Sequence, residues 1–226
     1  EISLGLVGSE MCIRDRFTTL FVDGNHENHD RLDAMPVSEW NGGKVHFVRP
    51  NVIHLMRGQV FTLQGQTYFT FGGASSHDIQ DGILDPEAYA FGTQDPDFKA
   101  KRKYLDSLGA MYRIKGVSWW ERELPNKQEM AEGLENLKKC GNKVDYIISH
   151  SPCTSDMFLM GGSGLYQPDI ISNYLEEVRA TTEYKKWYFG HMHINKQLNL
   201  QNLCLYEQIL MVPDKNYVYQ FPEEER

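Results

Sequence analysis

The sequence lacks what a nucleic-acid backbone binder or a membrane protein needs. Its 23 Lys and Arg are outnumbered by 31 Asp and Glu, a formal net charge of −8 with His neutral, whereas neutralising phosphates takes a basic face. Nucleic acid is therefore disfavoured as a partner. No apolar run approaches the ~20 residues that cross a bilayer, so no membrane partner is expected and the expected location is cytoplasmic. Cysteine is sparse as well. Cys12, Cys140, Cys153 and Cys204 form no CxxC pair and lack the density of a secreted disulfide scaffold, which favours free thiols. Against these shortages stand 41% hydrophobic and 24% charged residues in a chain of 226, enough apolar material for one core and too little charge for disorder.

The chain opens with Glu1, and residues 1–16 fit neither a helical nor a strand template. The apolar patch at 2–7 is too short for a signal peptide, has no basic residue before it and soon meets Glu10. The string 3–15 is similar to translated sequencing-adaptor read-through, so a non-native leader is expected at 1–16 and the folded domain at 17–226. A β-rich run at 17–22 delivers Asp23-Gly24, and 28–35 reads as a helical turn or two stopped by Pro36. Strands are expected at 45–48, 52–56, 59–63 and 67–71, the last running into Gly72-Gly73. Residues 76–120 are rich in Asp, Gly, Pro and aromatics with periodicity only at 98–108, the mark of an insertion or cap. At 125–139 a helix is predicted: Asn126 can cap it, Glu129 follows three residues on, Met130, Leu134 and Leu137 share a face, and Gly141 ends it. A strand at 144–149 runs into His150, a helix occupies 169–181, and a strand at 184–189 runs into Gly190-His191. Closing strands are expected at 198–200, 203–205, 209–212 and 217–221. The alternation predicts an α/β fold, a four-layer sandwich of two mixed β-sheets flanked by helices.

Four of the eight histidines, His26, His150, His191 and His193, fall just after predicted strands, where α/β folds build their sites. Imidazole is the commonest protein ligand for transition metals, and His191-x-His193 lets two rings approach a shared centre. His29, His46 and His54 read as structural or solvated. Arg57 reads as an exposed hairpin arginine rather than a phosphate clamp, and 72–76 as a tight turn rather than a phosphate loop. Trp119-Trp120 reads as an aromatic anchor for the insertion. His77 and Asp78, at the insertion's start, are candidates to line a cleft, and Cys153 stays outside the ligand set.

Gly24-Asn25-His26-Glu27, Ser149-His150 and Gly190-His191-Met192-His193 resemble, in order and composition, three of the five blocks of the calcineurin-like metallophosphoesterases, which run DxH, GD, GNH(E/D), H and GHxH. The resemblance spans about 17–212. It implies hydrolysis of phosphomonoesters or phosphodiesters, of a phosphoprotein or a small molecule, at two divalent transition metals (Mn, Fe, Zn or Co) about 3.5–4 Å apart that activate a bridging hydroxide. Asn25, His150 and His191 would hold the second metal and His193 the first. His26 would face the phosphate and protonate the leaving oxygen, with Glu27 behind it. No DxH and no Gly-Asp dyad precedes residue 24. The expectation is therefore a member truncated at its N-terminus, binding at most one metal and turning over poorly. A binding or scaffold protein on the same fold is the alternative, and a nuclease branch is disfavoured by the acidic balance.

Overall fold

The computed structural model describes residues 17–161 and 167–212. Strand β1 (Thr19–Phe21) leads through Asp23 to a short helix, α1 (His29–Asp33), whose cap is the Asn28 side chain accepting from the N–H of Arg31. A meander follows: β2 (Val37–Trp40), β3 (Gly43–Arg49), β4 (Val52–Leu55), β5 (Gln59–Leu63) and β6 (Gln66–Phe71). β1 lies parallel to β4 and the rest pair antiparallel, giving a four-stranded sheet in the order β1-β4-β3-β2. Residue alternation gives this sheet two buried faces. Val45, Ile53 and Leu55 pack against Phe61 of β5, while His46 and His54 point the other way and line a small cavity with His29 and Leu32 of α1.

The insertion carries β7 (Ile83–Leu84), α2 (Pro96–Ser107) and β8 (Arg113–Ile114), with β7 and β8 parallel. Asp95 caps α2 by accepting from the N–H of Asp97, and Pro96 sits in the first turn, where its missing N–H costs nothing. Leu84, Phe98 and Ile114, flanked by Tyr89 and Tyr112, make this segment a small core of its own. Trp120 and Arg122 tie its far end to α1 through Asp30 and Asp33.

Next come α3 (Lys127–Lys139), β9 (Tyr146–Ser149), α4 (Thr154–Leu159), α5 (Ile170–Thr181), β10 (Lys186–Phe189), β11 (Lys196–Gln197) and β12 (Asn202–Cys204). The predicted capping box forms: Asn126 accepts from the N–H of Glu129, and Glu129 accepts from the N–H of Asn126. The second sheet runs β11-β12-β10-β9-β6-β5, parallel from β6 through β9 and β10 to β12. Leu137 of α3 and Ile171, Leu175 and Val178 of α5 bury against Phe69, Phe71, Ile147 and Trp187, each such side chain stabilising the fold by ~1.5–3 kcal/mol before entropy is counted. The layers are thus α1, the small sheet, the large sheet, then α3 and α5, an α/β architecture of mixed sheets flanked by helices.

Three expectations change. No strand forms at 209–212, where Ile209 is fully exposed. Residues 198–200 form a turn, because the Asn199 side chain accepts from the N–H groups of Gln201 and Asn202 and bends the chain despite its alternating leucines. β2, β7, β8, β11 and α4 were not predicted, being two to six residues long with little periodicity. The strand expected at 217–221 and the leader at 1–16 lie outside the described residues. Cys140, Cys153 and Cys204 are free thiols. Among the described residues no helix is long and apolar enough to cross a membrane.

Candidate functional site

Register sets the site. Phe71, Ser149 and Phe189 are level with one another across β6, β9 and β10, so the residues that follow leave the sheet at one edge. Backbone hydrogen bonds then stitch the loops together: His150 N–H to Phe71 O (3.1 Å), Gly190 N–H to His150 O (3.0 Å) and Gly73 N–H to Asp23 O (2.8 Å). The last joins the loop after β1, from the small sheet, to the large sheet. Two glycines make the approach possible. A Cβ on Gly24 would stand 2.9 Å from the ring of His150, and one on Gly72 would collide with the Asp23 carboxylate.

Asp23 anchors that loop. Its carboxylate is buried and accepts from Arg57 Nε (2.9 Å) and Nη2 (2.5 Å) and from His54 Nε2 (3.1 Å). Burial alone would raise its pKa, but the His54 hydrogen bond and the Arg57 charge outweigh that and hold the carboxyl well below its ordinary value. Arg57 is therefore neither an exposed hairpin residue nor a phosphate clamp: it is buried, and its Nη2 also donates to Arg122 O and Glu123 O. The turn at 72–76 is likewise taken up by these contacts, with Gly73 at φ +91° against the Glu123 carbonyl.

The rings of His150 and His191 lie 5.2 Å apart, and His77 meets His191 edge-on at 5.6 Å. Burial pushes His150 down to about 4 and His191 to about 3, neighbouring imidazoles lowering the latter further. Both are neutral at pH 7, the form that binds metals. His150 Nε2 is buried without a hydrogen-bond partner. His191 and His193 have φ of +65° and +52°, rare and costly for side chains of this size. His193 is exposed and stacks on Tyr206 at 5.1 Å. His26 is exposed too, its pKa lowered by burial of part of the ring and by the Arg113 charge. Glu27 is half-buried and its pKa is raised, by burial and by the charge of Asp23.

Asn25 is buried and oriented by a chain that sequence reasoning missed. Glu123, also buried, accepts from Ser76 N–H (2.8 Å) and Ser76 Oγ (2.6 Å), and Ser76 Oγ accepts from Asn25 Nδ2 (3.2 Å). A carboxylate only accepts, so Ser76 donates to it, and the Asn25 amide nitrogen faces Ser76 while the carbonyl oxygen turns away. The second amide proton reaches His26 Nε2 at 3.3 Å. Only a buried acid far along the chain, Glu123 in Trp119-Trp120-Glu121-Arg122-Glu123, was there to signal this. Asp78 pairs with Arg113 of β8, which brings the insertion to the same edge. Beside His77 and His191 opens a cleft of about 250 Å³ that reaches the start of α5.

The structure thus gathers His150 and His191, with His77 against His191 and Gly24 against His150. Asn25 and His26 share a hydrogen bond, and His193 is instead exposed and stacked on Tyr206. The donors suit a borderline divalent ion: two neutral imidazoles, one with a bare buried nitrogen, and a carboxamide with its nitrogen already committed. Among the described residues no three His, Cys, Asp or Glu side chains are drawn together into a metal cage. No family model, no curated protein and no solved structure matches the chain.

Proposed function

We propose that this chain is a metal-dependent phosphoesterase of the calcineurin-like type, acting on phosphomonoesters or phosphodiesters. The observation that carries the reading is the partnerless buried Nε2 of His150, set beside the neutral ring of His191 at the ends of two parallel strands. A Mn, Fe or Zn ion held there by His150, His191 and the carbonyl oxygen of Asn25 would supply Lewis acidity for a phosphoryl oxygen and for water. The protein's own charges point the same way. The imidazoles are neutral, Arg57 is locked to Asp23 in the interior, and the more exposed Arg113 is shared with Asp78, so without an ion a phosphoester anion meets one partly committed cation.

The chain's residues then divide the work. The buried Asp23–Arg57 pair fixes the loop carrying Asn25 and His26, and the Glu123–Ser76 chain turns the Asn25 carbonyl oxygen outward. Neutral His26 accepts from the Asn25 amide through Nε2 and so carries its proton on Nδ1; as an acid it would first take a second proton from solvent, then pass one proton to the leaving oxygen and return to this neutral form. The reading assigns one ion to this chain, with His193 the ligand of a second in a protein carrying DxH and GD.

The test is metal analysis of the purified chain after dialysis against Mn2+ or Zn2+, with turnover of one alkyl and one nitrophenyl phosphoester. Expected are one ion per chain, its loss in His150→Ala and His191→Ala, and its retention in His26→Ala. Where turnover is measurable, His26→Ala should slow the alkyl ester by about 10²–10⁴-fold and the nitrophenyl ester, whose leaving group needs no proton, far less. No metal uptake by the folded wild type would leave a non-catalytic binding protein.

A further inference from the structure

The cleft beside His191 has an uneven charge map. On the insertion side, Asp78 follows His77, whose ring meets His191, and Asp78 holds Arg113. On the other side the cleft runs from His191 past Ser151 and Met157 to Asp169, and no Lys or Arg is among the described residues that line it. The Asp169 carboxylate caps α5 by accepting from Ser172 N–H (2.7 Å) and also accepts from Ser75 Oγ (2.5 Å). Its hydrogen bonds are met, but its negative charge stays at the cleft's far end.

We infer, on the phosphoesterase reading above, that the substrate is a phosphoester of an uncharged, hydroxyl-bearing alcohol: Arg113 meets its single phosphoryl anion, and the alcohol lies in the cleft between His191 and Asp169. Serine hydroxyls can both donate to and accept from alcohol groups, and Met157 and Met192 give the carbon skeleton an adaptable apolar wall. A leaving group with a carboxylate or second phosphate would instead enter a partly desolvated space facing Asp169 with no Lys or Arg among its described lining residues to receive it, which costs binding. The inference excludes polyphosphorylated nucleotides and phosphorylated acidic peptides.

The test compares two small probes that differ in one group, glycerol 3-phosphate and 3-phosphoglycerate. Each is titrated into the full chain, with and without Zn2+, while the ¹³C-methyl resonances of Met157 and Met192 are followed. Glycerol 3-phosphate should shift both methyls saturably and bind at least about fivefold more tightly, the scale of one like-charge encounter at about 4 Å fully screened by water. Arg113→Gln should weaken both probes equally, by about tenfold, as for loss of a hydrogen bond to a charged group. Gln167→Lys, which puts a cation on the exposed cleft rim, should tighten 3-phosphoglycerate alone.

Equal or tighter binding of 3-phosphoglycerate to the wild type overturns the inference and leaves the phosphoesterase reading standing. So does binding of either probe without a shift at Met157 or Met192. Failure to take up Zn2+ sinks the phosphoesterase reading instead. The preference comes from the chain's own residues, so the metal-free titration still decides it, and absence of binding there overturns the inference too.

Discussion

Two histidine groups sit within one chain and have opposite fates. His46 and His54 face each other across β3 and β4, Nδ1 to Nδ1 at 3.2 Å, and His54 goes on to the Asp23 carboxylate, itself held by Arg57. The linking atoms of both rings and of the Asp23 carboxylate each have a partner. His150 and His191 stand as close, ring to ring at 5.2 Å, yet His150 Nε2 has none. Burial alone therefore does not separate structure from chemistry, since all four rings are at least half-buried. Nor does a bare nitrogen by itself, because His29 Nε2 is also buried without a partner. What sets His150 apart is the combination: a bare nitrogen, a second neutral imidazole beside it, and a place where three parallel strands end.

The largest effect that can test the contrast is loss of Arg57. Arg57→Met leaves the Asp23 carboxylate buried and short of its main charge partner, and such losses typically cost ~3–5 kcal/mol. Urea denaturation at pH 7 measures it. Asp23→Asn combined with Arg57→Met should be milder than Arg57→Met alone, because the uncompensated charge is gone. A cost below ~1 kcal/mol for the single change would mean that the network does not hold the Asn25 loop.

Acid separates the groups by pH. The folded pKa of His150, about 4, and that of His191, about 3, lie below the ordinary histidine value of 6.5. Between pH 6.5 and about 4 the unfolded chain therefore binds protons that the folded chain refuses, and stability falls as pH falls. For His150 the loss should approach ~3 kcal/mol by pH 4. Asp23 works in another window: its pKa is depressed, so its contribution holds above its ordinary value of 3.8 and is lost only below it. Glu27, Glu123 and Asp156, with raised pKa values, gain stability as they protonate and partly mask the trend. The readout is therefore the metal-free difference between wild type and His150→Gln, which should move in the variant's favour as pH drops from 6.5 to 4 and be flat above.

A smaller effect is expected from Ser76→Ala. It removes the hydroxyl that fixes the Asn25 carboxamide and takes one donor from buried Glu123. Losing a partner that orients a ligand typically weakens metal binding by ~10–100-fold. The lower end is expected because His150 and His191 are untouched, and competition with a chelating dye measures it. Unchanged affinity would remove Asn25 from the proposed ligand set.

Much of this arrangement was legible in the sequence because strands announce both their face and their end. The runs before His150 and His191 are short, apolar and β-branched or aromatic, and the Asn126–Glu129 spacing marks the start of α3. The supporting layer was not legible. Arg57 reads as a surface residue because nothing local tells that its partner, Asp23, is 34 positions away, and Glu123 sits 47 positions from Ser76. Both pairs exist only once sheet register and the return of the insertion have placed them. The turn at Asn199 failed for the opposite reason, a local polar side chain overruling an apolar alternation that tertiary packing did not need.

The smallest expected effect sits at the far end of the satisfied chain. The Asp23 carboxylate only accepts, so His54 donates through Nε2, and the Nδ1 atoms of His54 and His46 share one hydrogen bond. His46→Val keeps a residue suited to a pleated strand but leaves the buried His54 Nδ1 without its partner, a cost of ~1 kcal/mol. Metal uptake should not change beyond about twofold, the effect being carried through His54 and Asp23 before it reaches Asn25, with Arg57 still holding the loop. Thermal denaturation and chelator competition on the same sample measure both quantities. A tenfold loss of metal in His46→Val, at that small cost in stability, would mean that the two histidine groups act as one unit, with His54 and Asp23 carrying the coupling across the sandwich.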